Sequence, residues 1–156
     1  MTYNYFLYCS TVWANTTQTN IKKLQGVQNF AARIVCNVRK YDHVSPALKK
    51  FKWIPVKSQL YLRDAVMAFK CTCMTGLAPE YLTNEFIPEG SVSGRVTRNS
   101  QQLNIPLCKT ATGQRSFYYR IVSIWYTIRP ELKLSQRVNS FKRNLKLDLL
   151  NSFLSK

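Results

Sequence analysis

Residues 57–75 read KSQLYLRDAVMAFKCTCMT, and apolar side chains recur along this stretch at steps of three and four. They form two stripes, one of Leu62, Ala65, Val66, Phe69 and Cys73 and one of Leu60, Met67, Cys71 and Met74. The stripes lie on broadly opposite sides of the proposed helix. Because a helix that is apolar on two sides is normally covered on both, the stretch predicts the central helix of a bundle.

The helical period also runs through residues 21–38, 112–128 and 135–153. Residues 84–100 combine Pro and Gly with Ser and Asn, which predicts a loop, and the QQLNIP stretch that follows alternates like a short strand. The predicted fold is therefore mainly α. It is an irregular helical bundle with a long loop at about 84–100 and at most a small two-stranded β element near 101–110. Residues 1–82 and 83–156 are predicted to form two parts that pack as one domain.

The apolar stripes also predict which side chains are buried. In residues 21–38, the side that carries Val27, Ile34 and Val35 is expected to face inward, and the side with Lys22 and Arg33 to face solvent. The predicted core contains Ile34, Val66, Phe69, Ile121, Trp125 and Phe141.

The charge balance excludes several classes of function. The 156 residues include 23 Lys and Arg, 7 Asp and Glu and a single His, for a net charge of +16. A two-metal polymerase or nuclease site needs clustered carboxylates, and a zinc site needs a Cys and His set that this chain does not supply. His43 lies at a turn beside no nucleophile motif. We therefore predict no catalytic residue, no metal, no cofactor and no small-molecule substrate.

The positive charge predicts a polyanionic partner. It is spread along the chain, with net +9 in residues 1–78 and net +7 in residues 79–156. Lys and Arg release counterions when they contact phosphates, so a basic folded body favours RNA or single-stranded DNA. The predicted contacts are Lys22, Arg33, Arg95, Arg98, Arg115, Lys142, Arg143 and Lys146, with Tyr119 stacking on a base.

Compartment and membrane contact follow from the remaining composition. The five Cys are odd in number and irregularly spaced, which favours reduced thiols inside a cell, in the nucleus or the cytoplasm. No apolar run approaches the roughly 20 residues that cross a bilayer, so no membrane partner is predicted. The alternative to nucleic-acid binding is a free-standing helical module that docks a protein through its Leu-rich C-terminal helix.

Seven stretches, taken in order, carry a family resemblance. They are YCSTVWA at 8–14, IKKLQGVQNFAARIV at 21–35, YDHVSPALKKFKWIPV at 41–56, VMAFKCTCMTGLAPEYL at 66–82, RVTRNSQQLNIP at 95–106, TGQRSFYYRIVSIW at 112–125 and LKLSQRVNSFKRNLK at 132–146. Together they resemble the C-terminal region of reverse transcriptases from LINE-like non-LTR retrotransposons of the jockey type.

The resemblance implies a part of an RNA-directed DNA polymerase. Residues 24–35 would belong to the end of the polymerase thumb, and the rest to a helical extension behind it. The family's Tyr-x-Asp-Asp motif and its endonuclease are absent from this sequence. The resemblance therefore implies a non-catalytic fragment that grips nucleic acid, with the polymerase palm as a second expected partner.

Overall fold

The computed structural model describes residues 8–74, 76–93, 102–105 and 107–154. Helices make up 67% of these residues, and they contain no sheet, which confirms the mainly α fold. The helices are α1 Ser10–Trp13, α2 Gln18–Cys36, α3 Ser45–Lys50, α4 Val56–Cys73, α5 Glu80–Thr83, α6 Glu89–Ser93, α7 Ala111–Gln114, α8 Phe117–Thr127, α9 Pro130–Lys133 and α10 Val138–Leu154.

The chain divides into two compact units. The first contains the described residues of Met1–Leu62 and Arg143–Lys156, and the second those of Arg63–Lys142. This division differs from the predicted one after residue 82. The reason is that α4 and α10 each continue from one unit into the other, so that residues far apart in the sequence share a core.

In the first unit, α2 packs with its amide-bearing side inward. Gln28 is 5% exposed, and its Nε2 donates to the Ile54 carbonyl at 3.0 Å. The Oε1 of Gln25 accepts from the backbone N–H of Val56 at 2.8 Å. Val56 is the first residue of α4, where backbone N–H groups lack helical partners, so Gln25 satisfies a donor that would otherwise be unpaired.

The prediction of the inward face of α2 is therefore wrong. Ile34, a predicted core residue, is 64% exposed, and Val27 and Val35 also face outward. Ala32 is buried instead, in a cluster with Ala47 and other residues around α3. The amides of α2 satisfy backbone groups at residues 54–56, and this pairing selects the inward face against the apolar stripe.

The core of the second unit lies between α4 and α8. Ala68 and Cys71 of α4 form a buried cluster with Phe86 and with Ile121 and Val122 of α8. The rings of Phe69 and Phe141 stack with their centroids 4.3 Å apart and their planes 11° apart. Phe69, Ile121 and Phe141 are each 0% exposed, which confirms half of the predicted core. The other members within this unit, Val66 and Trp125, are only half-buried.

Local structure differs from the sequence prediction at two places. The predicted loop contains the short helix α6, while residues 94–101 lie outside the described part. The predicted helix over 112–128 is divided into α7 and α8 at Arg115 and Ser116. Leu103 pairs with Pro88 in one antiparallel bridge, which is the only trace of the predicted β element among the described residues. No helix in the described ranges is both long and apolar enough to cross a bilayer.

Truncation of Phe69 tests the core of the second unit. Phe69→Ala removes a fully buried ring and its stacking on Phe141, and we expect a loss of roughly 3–5 kcal/mol in the free energy of unfolding. Ile34→Ala is the matched control, because Ile34 is 64% exposed and its truncation should change stability by less than about 0.5 kcal/mol. Urea unfolding followed by circular dichroism measures both. An equal loss for the two variants would contradict the observed orientation of α2.

Candidate nucleic-acid interface

Three predicted contacts lie together on α10. Lys142, Arg143 and Lys146 are all exposed, and within the described residues no carboxylate pairs with any of them. With about 100° of rotation per residue, the three side chains fall within an arc of about 100° around the helix. The centre of this arc lies about 150° from Phe141, which is buried, so the three cations are on the side opposite the core. We call these three residues the α10 basic face. Its cations are therefore open to an external anion.

The two predicted contacts on α2 differ in their exposure to solvent. Lys22 is exposed. Arg33 is half-buried, and its Nη2 donates to the Asp42 carbonyl at 3.3 Å. The Nε of Arg33 is buried without a hydrogen-bond partner among the described residues. Arg33 is thus held partly by its own chain, and Lys22 is the more available cation of the two.

Arg115 and Tyr119 lie near the start of α8. Arg115 is exposed in the break between α7 and α8, and its Nη2 donates to the Thr112 hydroxyl at 3.4 Å. The carbonyl of Arg115 accepts from Arg120 at 3.1 Å, which fixes the backbone at the break. Tyr119 is half-buried, so only part of its surface is open to a base.

The structure distributes the predicted contacts over both units. The first unit contains Lys22, Arg33, Arg143 and Lys146, and the second contains Arg115, Tyr119 and Lys142. Arg95 and Arg98 lie outside the described residues. The structure therefore brings together the three cations of the α10 basic face, which are neighbours on one helix.

The second unit contains a buried ion pair that the residue pattern did not predict. The Nε of Arg120 donates to Oδ2 of Asp64 at 2.6 Å, and Nη2 donates to Oδ1 at 3.4 Å. The side chain of Asp64 is 2% exposed and that of Arg120 is 16% exposed. Asp64 is the only acid in residues 57–75, and it falls between Leu60 and Met67 on an apolar stripe, which was the available signal for a buried partner.

The ion pair occupies both side chains inside the second unit. Burial raises the pKa of Asp64, and its hydrogen bonds and charge interaction with Arg120 lower that pKa again in part. Because Arg120 compensates this buried carboxylate, it is not available to a phosphate. Asp64 in turn is not available as a metal ligand or a general acid.

Two tyrosine hydroxyls of the second unit donate hydrogen bonds to the backbone around residue 103. The hydroxyl of Tyr118 donates to the Asn104 carbonyl at 3.0 Å, and that of Tyr126 donates to the Leu103 carbonyl. Burial is the largest cause that raises the pKa of each tyrosine, so both stay protonated donors at neutral pH. These bonds tie the segment to α8.

A cation–π contact lies beside α9. The ammonium of Lys133 lies 4.8 Å from the centroid of the Trp125 ring, and burial lowers its pKa. Its distance from the Trp125 ring is within the range of a stabilising cation–π contact. Lys133 therefore serves packing more than anion binding.

The described residues contain no group of three or more His, Cys, Asp or Glu side chains that could hold a metal ion. Comparisons with protein-family models, with curated proteins and with solved structures find no match to this chain. The resemblance to reverse transcriptases thus remains an expectation from the sequence.

Removal of one partner of the Asp64–Arg120 pair should be costly. Asp64→Leu leaves a guanidinium buried without its carboxylate, and we expect a loss of about 3 kcal/mol in the free energy of unfolding. The double variant Asp64→Leu with Arg120→Met removes both charges and should recover most of that loss. Chemical denaturation of the single and double variants measures the coupling. Additive losses would show that the two side chains do not depend on each other.

Proposed function

We propose that this chain binds RNA or single-stranded DNA through phosphate contacts. The observation that carries the proposal is the α10 basic face, where Lys142, Arg143 and Lys146 are exposed and meet no carboxylate among the described residues. A chain of net charge +16 carries a high cost of self-repulsion. A polyanion on this face relieves that repulsion and gains counterion release.

The mode of binding follows from the residue types. Lys and Arg side chains contact phosphate oxygens, which are the same in every sequence, so the preference for particular bases should be small. If about five phosphates are engaged, the slope of log affinity against log salt is about −3.5 for a single strand. Tyr119 would add base stacking through the part of its ring that is exposed.

We further propose that the chain is the non-catalytic C-terminal region of a LINE-like, jockey-type reverse transcriptase. The seven ordered stretches between residues 8 and 146 support this origin. In such a polymerase the chain would hold template or product while a separate palm, its second proposed partner, performs RNA-templated DNA synthesis. Nucleic-acid binding without catalysis agrees with the position of Asp64, because this carboxylate is buried and paired with Arg120.

A protein-docking function is the alternative, and one observation favours it. Leu147 and Leu154 of α10 are 50% and 47% exposed. They are seven residues apart and so lie on one side of the helix. Leu145 and Leu150, by contrast, are buried within the protein, so only part of the Leu-rich helix is free to dock.

Charge reversal on α10 tests the proposed interface. Lys142→Glu, Arg143→Glu and Lys146→Glu together should weaken binding of a labelled single-stranded RNA. The salt slope should change from about −3.5 to about −1.4, because each lost phosphate contact removes about 0.7. Fluorescence anisotropy across a salt titration measures affinity and slope.

Two controls separate a local interface from general charge. Lys50→Glu, Lys57→Glu and Lys109→Glu produce the same change in net charge at other exposed positions and should leave the slope near that of the wild type. Leu147→Ser with Leu154→Ser should leave RNA binding unchanged. Equal weakening by both charge triples, or binding that is flat across the titration, would count against the α10 basic face.

We also propose that the purified chain performs no nucleotide transfer. Its seven acidic residues include no Asp-Asp pair, and two bound Mg²⁺ ions require clustered carboxylates. A primer-extension assay with an RNA template and Mg²⁺ should show no product above a heat-inactivated control. Incorporation that survives repeated purification of the chain would overturn this expectation.

A further inference from the structure

Helix α2 exposes an apolar surface that the nucleic-acid proposal does not use. Val27 is 46% exposed, and Phe30 and Ile34 are each 64% exposed. At about 100° per residue these three side chains fall within about 60° of one another around the helix. We call them the α2 apolar face. Three large apolar side chains in one row along a helix are the pattern by which one helix anchors another.

A groove adjoins this face. It has a volume of about 500 Å³ and is lined by Trp13, Leu24 and Val27 together with polar side chains of residues 15–23. Val27 belongs both to the groove and to the α2 apolar face. The groove therefore extends the exposed row sideways and offers space for an apolar side chain from a partner.

Gly26 supplies an independent observation on the same side of α2. It lies about 40° beyond Phe30 around the helix. A Cβ built on Gly26 meets nothing within 4 Å, so no contact among the described residues requires glycine here. Glycine inside a helix costs about 1 kcal/mol relative to Ala. A glycine in this position lets the backbone of a docked helix approach closely.

The charges around the face define the partner. Lys22 and Lys23 are exposed on α2, Arg33 is half-buried there, and α2 contains no acidic residue. The first acid of the sequence is Asp42, which lies beyond the helix. An apolar row on a helix that carries cations and no acid is complementary to an apolar row flanked by acids, most of all at the Lys22–Lys23 end, because Asp42 lies near Arg33 at the other end.

We propose that the α2 apolar face and its groove dock an amphipathic helix with acidic flanks from a protein partner. Apolar side chains of that helix would cover Val27, Phe30 and Ile34, its backbone would approach Gly26, and its Asp or Glu residues would meet Lys22 and Lys23. This function goes beyond nucleic-acid binding. Its apolar anchors are not among the proposed phosphate contacts, and Lys22 is the one residue that the two surfaces share.

Other occupants fit the surface less well. A symmetric pair of α2 helices would place two helices that carry cations and no acid against each other. Nucleic acid would gain base stacking from Phe30 alone, since Val27 and Ile34 have no ring. A bilayer surface is flat, and it requires neither a groove nor a mid-helix glycine.

The test uses the full chain and a synthetic peptide of about 20 residues, long enough to form a helix. The peptide carries Leu at helical spacing on one side and Glu on the others. A matched peptide has every Glu replaced by Lys. Fluorescence anisotropy measures binding of each labelled peptide, and we expect the acidic peptide to bind at least tenfold more tightly.

Two variants locate the binding surface. Phe30→Ser with Ile34→Ser should weaken the acidic peptide at least tenfold. Circular dichroism and oligonucleotide affinity should stay unchanged, because both side chains are already exposed. Gly26→Ala should weaken the peptide several-fold, and it should raise the Tm of the free chain by about 2–4 °C through helix propensity. Opposite effects on binding and stability are not expected of a residue with a merely structural role.

Specific results would overturn the proposal. They are equal binding of the two peptides, no effect of the serine substitutions on the acidic peptide, or a Gly26→Ala variant that binds as well as the wild type. Loss of oligonucleotide or anionic-vesicle binding in the serine variant would assign the face to nucleic acid or lipid instead. Sedimentation that shows a dimer lost in this variant would assign it to a second copy of the chain.

Discussion

Helix α4 has to be covered over more than half of its circumference. At about 100° per residue, the buried side chains of α4 span an arc of about 200° around the helix. Leu60 lies at one edge of this arc, and Phe69 and Leu62 lie at the other. In the first unit, the backbone N–H of Val56, the first residue of α4, donates a hydrogen bond to Gln25 of α2. In the second unit the cluster around Ile121 covers it, and Arg120 compensates the carboxylate that it buries. The core of the second unit therefore depends on the need to cover this one helix.

The placement of the charges follows from the same requirement. Acidic side chains are scarce, and α4 directs one of them, Asp64, inward to Arg120. The cations of the α10 basic face meet no carboxylate within the described residues and remain available to phosphates. The amides of α2 are likewise used inward, against residues 54–56, which leaves Val27, Phe30 and Ile34 on the outside. Asp64 and the amides of α2 are thus paired inside the protein, and the surfaces that stay exposed are one basic and one apolar.

Helical period was enough to predict the mainly α fold, the two-sided burial of α4 and the exposure of the α10 basic face. It was not enough for α2, because periodicity separates the two faces of a helix but does not say which faces inward. Gln25 and Gln28 decided that through bonds to backbone groups about 30 residues away, and residue spacing does not encode such bonds. The partner of Asp64, 56 residues away, was hidden for the same reason.

Lysine footprinting tests the central claim that this chain grips nucleic acid through the cations it leaves open. The purified chain is acylated with and without saturating single-stranded RNA, and the modification of each lysine is read by mass spectrometry. Binding through the open cations predicts that RNA protects Lys142, Lys146 and Lys22, while Lys50 and Lys57 stay as reactive as in the free chain. Uniform protection of all five lysines, or none at all, would contradict a defined phosphate-binding surface.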